Sequence, residues 1–265
     1  NIEGNLKGTQ SAYVSGNIRD NKDGSLSTDK LNDTYRLSID DGRGSIDWDA
    51  FVDAPYFPSY AKIESAQEAY KSVLSDVGAN LPLSDDTDRR VIKETLERSY
   101  TYVGSKSGIR GEIDNEKDAG GYELYPEEMR PADFDTDLDG LPDWWEEING
   151  SNVNSAAGDY SDSHADNNND GFSALEDYLA FMASPNTILK PGEVTDIDLK
   201  AMFAGYTQSP MYTVDDPQSI SHISGSKLTI AAPSQIGIYP ITLTVTDGDG
   251  ASYTRLLNIA VTQKE

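Results

Sequence analysis

Residues 135 to 146, DTDLDGLPDWWE, place five carboxylates, Asp135, Asp137, Asp139, Asp143 and Glu146, in twelve positions with no basic residue among them. Unpaired, such charges repel one another strongly enough to weaken any fold that gathers them. The spacing points to a cation. A twelve-residue calcium loop takes ligands from positions 1, 3, 5, 7 (a backbone carbonyl), 9 and 12, and needs Gly at position 6 to turn the chain back around the ion. With Gly140 at position 6 the ligands are Asp135, Asp137, Asp139, the Leu141 carbonyl, Asp143 and Glu146, and every slot is filled. Glu at position 12 is long enough to reach the ion from a helix starting at Pro142, a residue favoured at the first helical position.

A second loop, DNNNDGFSALED, registers on Gly171 and offers Asp166, Asn168, Asp170, the Phe172 carbonyl and Asp177. Ala174 at position 9 has no donor, so water fills that place; Glu176 competes with the shorter Asp177 for position 12. Fewer and shorter carboxylates predict weaker binding than in the first loop. Other Asp-Gly sites fail the same test. Placing Gly24, Gly42 or Gly250 at position 6 puts Arg19, Leu37 or Val245 at position 1 and Lys30, Trp48 or Leu256 at position 12.

Composition agrees with a hard cation. The 265-residue chain carries a formal net charge of −25, and no Lys or Arg occurs between Arg130 and Lys190, an interval holding thirteen Asp and Glu. The charge argues against nucleic acid and anionic membrane surfaces as partners, because phosphate binding needs concentrated Lys and Arg. With no cysteine and only His164 and His222, metal ligands must be oxygen, which selects calcium or magnesium. No run approaches the roughly 20 apolar residues of a membrane span, so no membrane insertion is expected. The chain opens without a start Met and reads as a mature or excised piece.

The elements that must position these loops differ along the chain. Residues 1–58 alternate short β-type runs with Gly, Asn and Asp turns; NIEGNL at 1–6 and YVSGNI at 13–18 share a pattern that suits either stacked β-coils or a meander. From Ala61 a helical stripe runs through Ile63, Ala66, Tyr70, Val73, Leu74 and Val77, with Gly78 as its stop. A second helix starts at Ser84 or Asp85 as N-cap and carries Val91, Ile92 and Leu96. Residues 100–132 read as a long surface connection. Each acidic loop leads into a short helix, PDWWEEING and SALEDYLAFMAS. Beyond Pro191-Gly192, TDIDLKAMF, MYTV, SKLTIAAP, GIYPITLTVTDG and SYTRLLNIAVTQ are strands at regular spacing, with DGDG as a hairpin turn and Tyr239 placed to close a corner, the pattern of a β-sandwich. Trp144 and Trp145 could stack on a sugar, but neighbours on a helix diverge by about 100°, so at least one faces the core. No catalytic constellation stands out: neither histidine has an identifiable nucleophile in context, and no acidic pair can be singled out among 46 carboxylates.

The order AYKSVLSDVGANLP, DRRVIKETLERSY, GEIDNEKDAGGYELYP, DTDLDGLPDWWE and DNNNDGFSALEDYL resembles the C-terminal third of bacterial pectate lyases of polysaccharide lyase family 1, over about residues 1–184. The family's Arg-Asp pair after its VGA-LP turn is replaced by Ser84-Asp85. The strands after Pro191 resemble the Ig-like or cadherin-like modules of secreted bacterial enzymes. The resemblance implies a mainly β chain: the end of a right-handed parallel β-helix with capping α-helices (1–132), a small α-helical calcium-loop module (133–190) and a C-terminal Ig-like β-sandwich (191–265). It implies a secreted or extracellular lyase that acts by β-elimination on an acidic, uronate polysaccharide, with a catalytic Arg and a substrate-bridging calcium in earlier coils. No residue of this chain matches those catalytic motifs, so the calcium loops would be structural. The alternative is a non-catalytic extracellular adhesive or structural protein, in which such loops act as calcium-stiffened spacers.

Overall fold

A computed structural model of the chain describes residues 2–3, 11–28, 39–40, 51–78, 80–81, 84–125, 127 and 129–263. Helix accounts for 21% and strand for 23%, in several small sheets with no closed barrel among the described residues, so the chain is mixed α and β. It divides into two compact units, Asn1–Lys71 and Ser72–Glu265.

The first unit is built from two-residue strands. β1 (Ile2–Glu3), β2 (Ala12–Tyr13), β3 (Arg19–Asp20), β4 (Leu26–Ser27), β5 (Ile39–Asp40) and β6 (Phe51–Val52) form three small sheets. β1 pairs parallel with β5 and β2 parallel with β6. β3 and β4 form a hairpin, whose turn is tied by Gly24 N–H to the Asn21 carbonyl (2.9 Å) and by Asp23 accepting from the Ser25 amide (3.0 Å). The first copy of the Gly-Asn pattern, apart from β1, lies outside the described residues.

α1 (Ala66–Asp76) ends just before Gly78, whose φ of +88° suits a residue without Cβ. The predicted apolar stripe is only partly the buried face. Leu74 is buried, yet Ser72 and Ser75 are buried too, while Val73 and Val77 are exposed. Polar bonds decide this face. Ser75 Oγ accepts from the Gly205 amide (3.1 Å), and Arg255 donates to the Ser75 and Met202 carbonyls (3.0 Å each) and to Asp76 (2.6 Å). α2 (Asp86–Glu97) has Asp85 as N-cap, accepting from the Asp88 amide, and buries no residue fully. The connection that follows contains a short 3-10 helix, Glu116–Ala119, and is braced by Asp114 and Asp118, which accept backbone amides of residues 105–107.

α3 (Asp143–Asn149) and α4 (Ala174–Met182) follow the two acidic loops. Both are too short to be stable alone and are held by packing. Leu141, Trp144, Trp145, Tyr178 and Phe181 form one buried cluster together with Ala260. Both tryptophans are buried, at 3% and 6% exposure, so neither offers a ring face to a sugar.

The remaining strands are β7 (Asn186–Leu189), β8 (Val194–Asp198), β9 (Met211–Asp215), β10 (Ser221–Ser224), β11 (Lys227–Ala231), β12 (Gly237–Thr246) and β13 (Ser252–Val261), with one helical turn, α5 (Leu199–Met202), after β8. They make a four-stranded sheet in the order β7-β13-β12-β9 and a three-stranded sheet in the order β10-β11-β8. A common core joins the sheets: Leu228 and Ile230 from one, and Ile241, Leu243, Val245, Leu257, Ile259 and Val261 from the other, around Leu199 and Phe203. β12 alternates these apolar residues with threonines, the period-two pattern of a strand buried on one face. The DGDG hairpin forms between β12 and β13, and the Tyr239 hydroxyl donates to the Gln235 carbonyl (2.9 Å). β7 lies before Pro191-Gly192 and pairs parallel with β13, so this sheet begins earlier in sequence than the strand pattern indicates.

Candidate metal centre

The first acidic loop is a turn whose backbone holds its own carboxylates inward. Gly140 has φ +101° and Leu138 φ +61°, bending the chain twice within three residues. Amides then donate to side chains: Gly140 to Asp135 (3.2 Å), Asp139 to Asp137 (3.4 Å) and Leu141 to Asp139 (2.8 Å). As a result one carboxylate oxygen from each of Asp135, Asp137 and Asp139 lies within 4.8 Å of the others, an arrangement that could hold a metal ion. The Leu141 side chain is wholly buried in the aromatic cluster and anchors the segment.

Glu146, in the first turn of α3, lies in the field of Asp137 and Asp139 but outside the tight trio. It is 0% exposed, and neither of its carboxylate oxygens has a hydrogen-bond partner. Burial, followed by the charges of Asp137, Asp139, Asp143 and Asp162, pushes its carboxyl up to about 8. Asp139 is raised by the same burial, opposed by the Leu141 amide, and Asp135 and Asp139 each hold a further buried oxygen without a partner. Buried carboxylates normally find a cation or several donors, because desolvating an unpaired charge costs several kcal/mol. Oxygen ligands alone, gathered in this way, suit a hard divalent cation.

Asp143 behaves differently from its neighbours. Its two oxygens accept from the Thr136 amide (2.8 Å) and hydroxyl (2.7 Å), and its own amide donates to the Phe134 carbonyl (2.8 Å). It therefore closes the neck of the loop.

The second loop repeats the backbone design. Asn169 and Gly171 have φ +58° and +95° at the places of Leu138 and Gly140. Gly171 donates to Asp166 (3.1 Å), Asp170 to Asn168 (3.1 Å) and Phe172 to Asp170 (2.9 Å), bond for bond as in the first loop. Its candidate ligands are more exposed. Asn168 donates to Asp170 (2.9 Å) and Asp177 (3.3 Å), which brings these three together. Glu176 is engaged elsewhere: it accepts from the Ser173 amide (2.8 Å) while Ser173 caps α4, a reciprocal capping box. Position 12 is thereby left to Asp177, whose carboxyl is raised by burial and by Asp170, Asp166 and Glu176.

Three residues beyond the loop motif also interact with its carboxylates. The Ser155 amide donates to Asp137 (2.9 Å), the Ser163 amide faces Asp139, and Asp162 adds its charge to the field at Glu146. The stretch free of Lys and Arg hinted at such residues without singling them out. His164 stacks on Tyr160 at 6.0 Å, and His222 sits exposed on β10. No helix among the described residues is long and apolar enough to cross a membrane.

No protein-family model matches the chain, and no curated protein matches it. Among solved structures, similar chains include a nucleoside hydrolase-related protein from Saccharophagus degradans associated with carbohydrate metabolism, at 17% identity over 31% of this chain and 23% of that one, with a TM-score of 0.24. A 2,6-sialyltransferase from a Photobacterium species shares 12% identity over 29% of this chain and 17% of its own, at a TM-score of 0.24. A PKD domain shares 22% identity over 31% of this chain and 85% of its own, also at 0.24.

Proposed function

We propose that residues 135–146 hold a structural calcium ion, that residues 166–177 hold a second, weaker one, and that the chain is the C-terminal, calcium-stabilised part of a secreted pectate-type lyase. The observation that carries the metal reading is Glu146: a fully buried carboxylate with no hydrogen-bond partner, in the field of Asp137, Asp139 and Asp143, two of which also belong to the tight trio with Asp135. Calcium suits the centre better than magnesium, because it accepts six to eight oxygens in irregular geometry and a carboxylate bidentately, whereas magnesium demands a compact octahedron and keeps its water.

The lyase reading rests on the order of sequence motifs, and the fold lends it two supports. Parallel pairing of Ile2 with Ile39 and of Ala12 with Phe51, at nearly equal offsets, is what successive coils of a parallel β-helix produce. Two sheets over one core after residue 185 fit an Ig-like module. Under this reading residues 1–132 are final coils and capping helices, 133–190 the calcium module and 191–265 the sandwich. β-Elimination on the uronate polymer is performed by an Arg and a separate calcium site in preceding coils. The chain itself binds calcium and meets acidic polysaccharide only as part of the whole enzyme, outside the cell.

A second reading, a non-catalytic extracellular adhesive or spacer, is favoured by the aromatic cluster under the first loop, where the ion braces a scaffold. Two measurements separate these ideas. Calcium added back after chelation should raise the melting temperature, with magnesium far less effective; an unchanged melting curve would remove the metal assignment. Incubated with polygalacturonate, this chain alone should release no unsaturated product, and steady release would place the catalytic set within it.

A further inference from the structure

We propose that Asn149 is a site of spontaneous deamidation, held back by the last turn of α3, and that its conversion to aspartate or isoaspartate permanently unfastens that turn. The proposal does not depend on the metal reading.

Asn149 is the one asparagine of the chain that is followed by glycine. Glycine has no side chain to crowd its amide nitrogen as that nitrogen swings toward the preceding side chain, so this pair closes a ring more readily than any other pair that begins with Asn. Asn149 and Gly150 are both exposed, and no atom beyond the chain neighbours lies within 4 Å of the place a Gly150 Cβ would occupy. Water and hydroxide therefore reach the pair. The Gly150 amide gives its proton to hydroxide, its nitrogen attacks Asn149 Cγ to form a new C–N bond, and the Cγ–Nδ2 bond breaks with release of ammonia. Water then opens the cyclic imide at either carbonyl, leaving aspartate or, with the main chain rerouted through the side chain, isoaspartate. Nothing is oxidised or reduced.

The fold restrains both reacting groups. The Gly150 amide donates to the Glu146 carbonyl (2.7 Å), and Asn149 Nδ2 donates to the Trp145 carbonyl (2.8 Å). Both bonds must break before the nitrogen meets Cγ, so the reaction runs through the frayed end of α3. Asn154 is an internal comparison. The next residue, Ser155, carries a side chain, and its amide is tied to Asp137 (2.9 Å) and to the Asn152 carbonyl (3.2 Å).

Conversion changes the end of α3 in two ways. It removes the donor to Trp145 and sets a carboxylate at the negative end of the helix dipole. No cation of the same stretch offsets it, because no Lys or Arg occurs between Arg130 and Lys190. Isoaspartate also lengthens the main chain between residues 149 and 150, drawing the Gly150 and Ser151 amides away from the Glu146 carbonyl that accepts both (2.7 and 3.1 Å). Glu146 and both tryptophans of the buried cluster lie in this seven-residue helix, so a loosened end reaches the packing under the first loop.

The test ages the full chain in mildly alkaline buffer with EDTA, so that no metal enters, and maps it by peptide mass spectrometry with electron-transfer fragmentation to identify isoaspartate. Asn149 should convert first among the asparagines, and about 10- to 100-fold faster in guanidinium than in the folded chain, the factor expected for two lost hydrogen bonds. Aged protein, and fresh Asn149→Asp, should melt roughly 2–8 °C below the fresh parent. Asn149→Gln, which keeps an amide but closes the ring poorly, should age without that loss. Conversion absent at Asn149, or no faster there than at Asn154, removes the site. Equal rates in folded and unfolded chain remove the restraint by α3. Aged protein converted at Asn149 that melts as the fresh parent does refutes the unfastening. Should Asn149→Asp not fold, the aged parent decides, since it folded before the change.

Discussion

Replacing Glu146 by Gln separates a metal ligand from an ordinary core residue. Its carboxylate is wholly buried, has no hydrogen-bond partner and lies in the field of other acids. Above about pH 8, where this carboxyl is ionised, leaving its buried charge without a partner costs about 3–5 kcal/mol. An amide of nearly the same shape removes the charge but still leaves polar atoms unsatisfied, at about 1–3 kcal/mol. The charge term is larger, so Glu146→Gln should stabilise the chelated protein by about 2 kcal/mol while abolishing most of the stabilisation by calcium. For a unit the size of Ser72–Glu265, 1 kcal/mol moves the melting temperature by roughly 2–4 °C. The parent should therefore melt roughly 10 °C lower in EDTA than in calcium, and the variant should show a gap of no more than a few degrees. Differential scanning calorimetry in both conditions checks this. A variant that keeps the full calcium-dependent gap, or that melts well below the parent in EDTA, would show that Glu146 is a packing residue and that the reasoning from its unpartnered oxygens is wrong.

Gly140→Ala should cost about 1–3 kcal/mol through its φ of +101° alone. The added Cβ meets only Leu175 at an ordinary 3.7 Å, so a loss well above that range in urea denaturation would mean that packing, rather than backbone strain, sets the cost. Arg255→Lys should lower stability by about 2–3 kcal/mol, because an ammonium cannot donate in a fork to the Ser75 and Met202 carbonyls and to Asp76; an unchanged denaturation midpoint contradicts it. Asp114, held low chiefly by the Ser107 amide and then that of Lys106, and Asp118, held low chiefly by the Ser105 amide, have folded pKa values below their unfolded ones. Their bracing of residues 104–119 is present above the ordinary carboxylate range and is lost as pH falls through the depressed values. Amide exchange at Ser105 and Ser107 should accelerate there beyond its intrinsic pH trend, and a purely intrinsic trend counts against the brace. Oligogalacturonate should leave the emission of Trp144 and Trp145 unchanged, since both are buried, and a saturable change would mean that this cluster opens.

Much of the candidate centre was legible in sequence because its geometry is local. The bonds from Gly140 to Asp135 and from Leu141 to Asp139 span two to five residues, so residue spacing alone dictates which carboxylates turn inward. For the same reason Asp85 and the DGDG hairpin were readable as cap and turn. Burial and long-range pairing are not local. The helical stripe of α1 marked Val73 and Val77, whereas the buried face includes Ser72 and Ser75, because Arg255 and Gly205 arrive from distant strands and loops with donors to satisfy. Helical geometry required at least one of Trp144 and Trp145 to be buried; packing with Tyr178, Phe181 and Ala260 buried both. Sequence thus marked where a cation centre could form, and of the residues it named the fold gathers Asp135, Asp137 and Asp139. Tertiary structure alone decided that Asp143 closes the loop neck and that Glu146 is sealed from water, because each depends on how the segment packs, and no spacing along one stretch of chain encodes that.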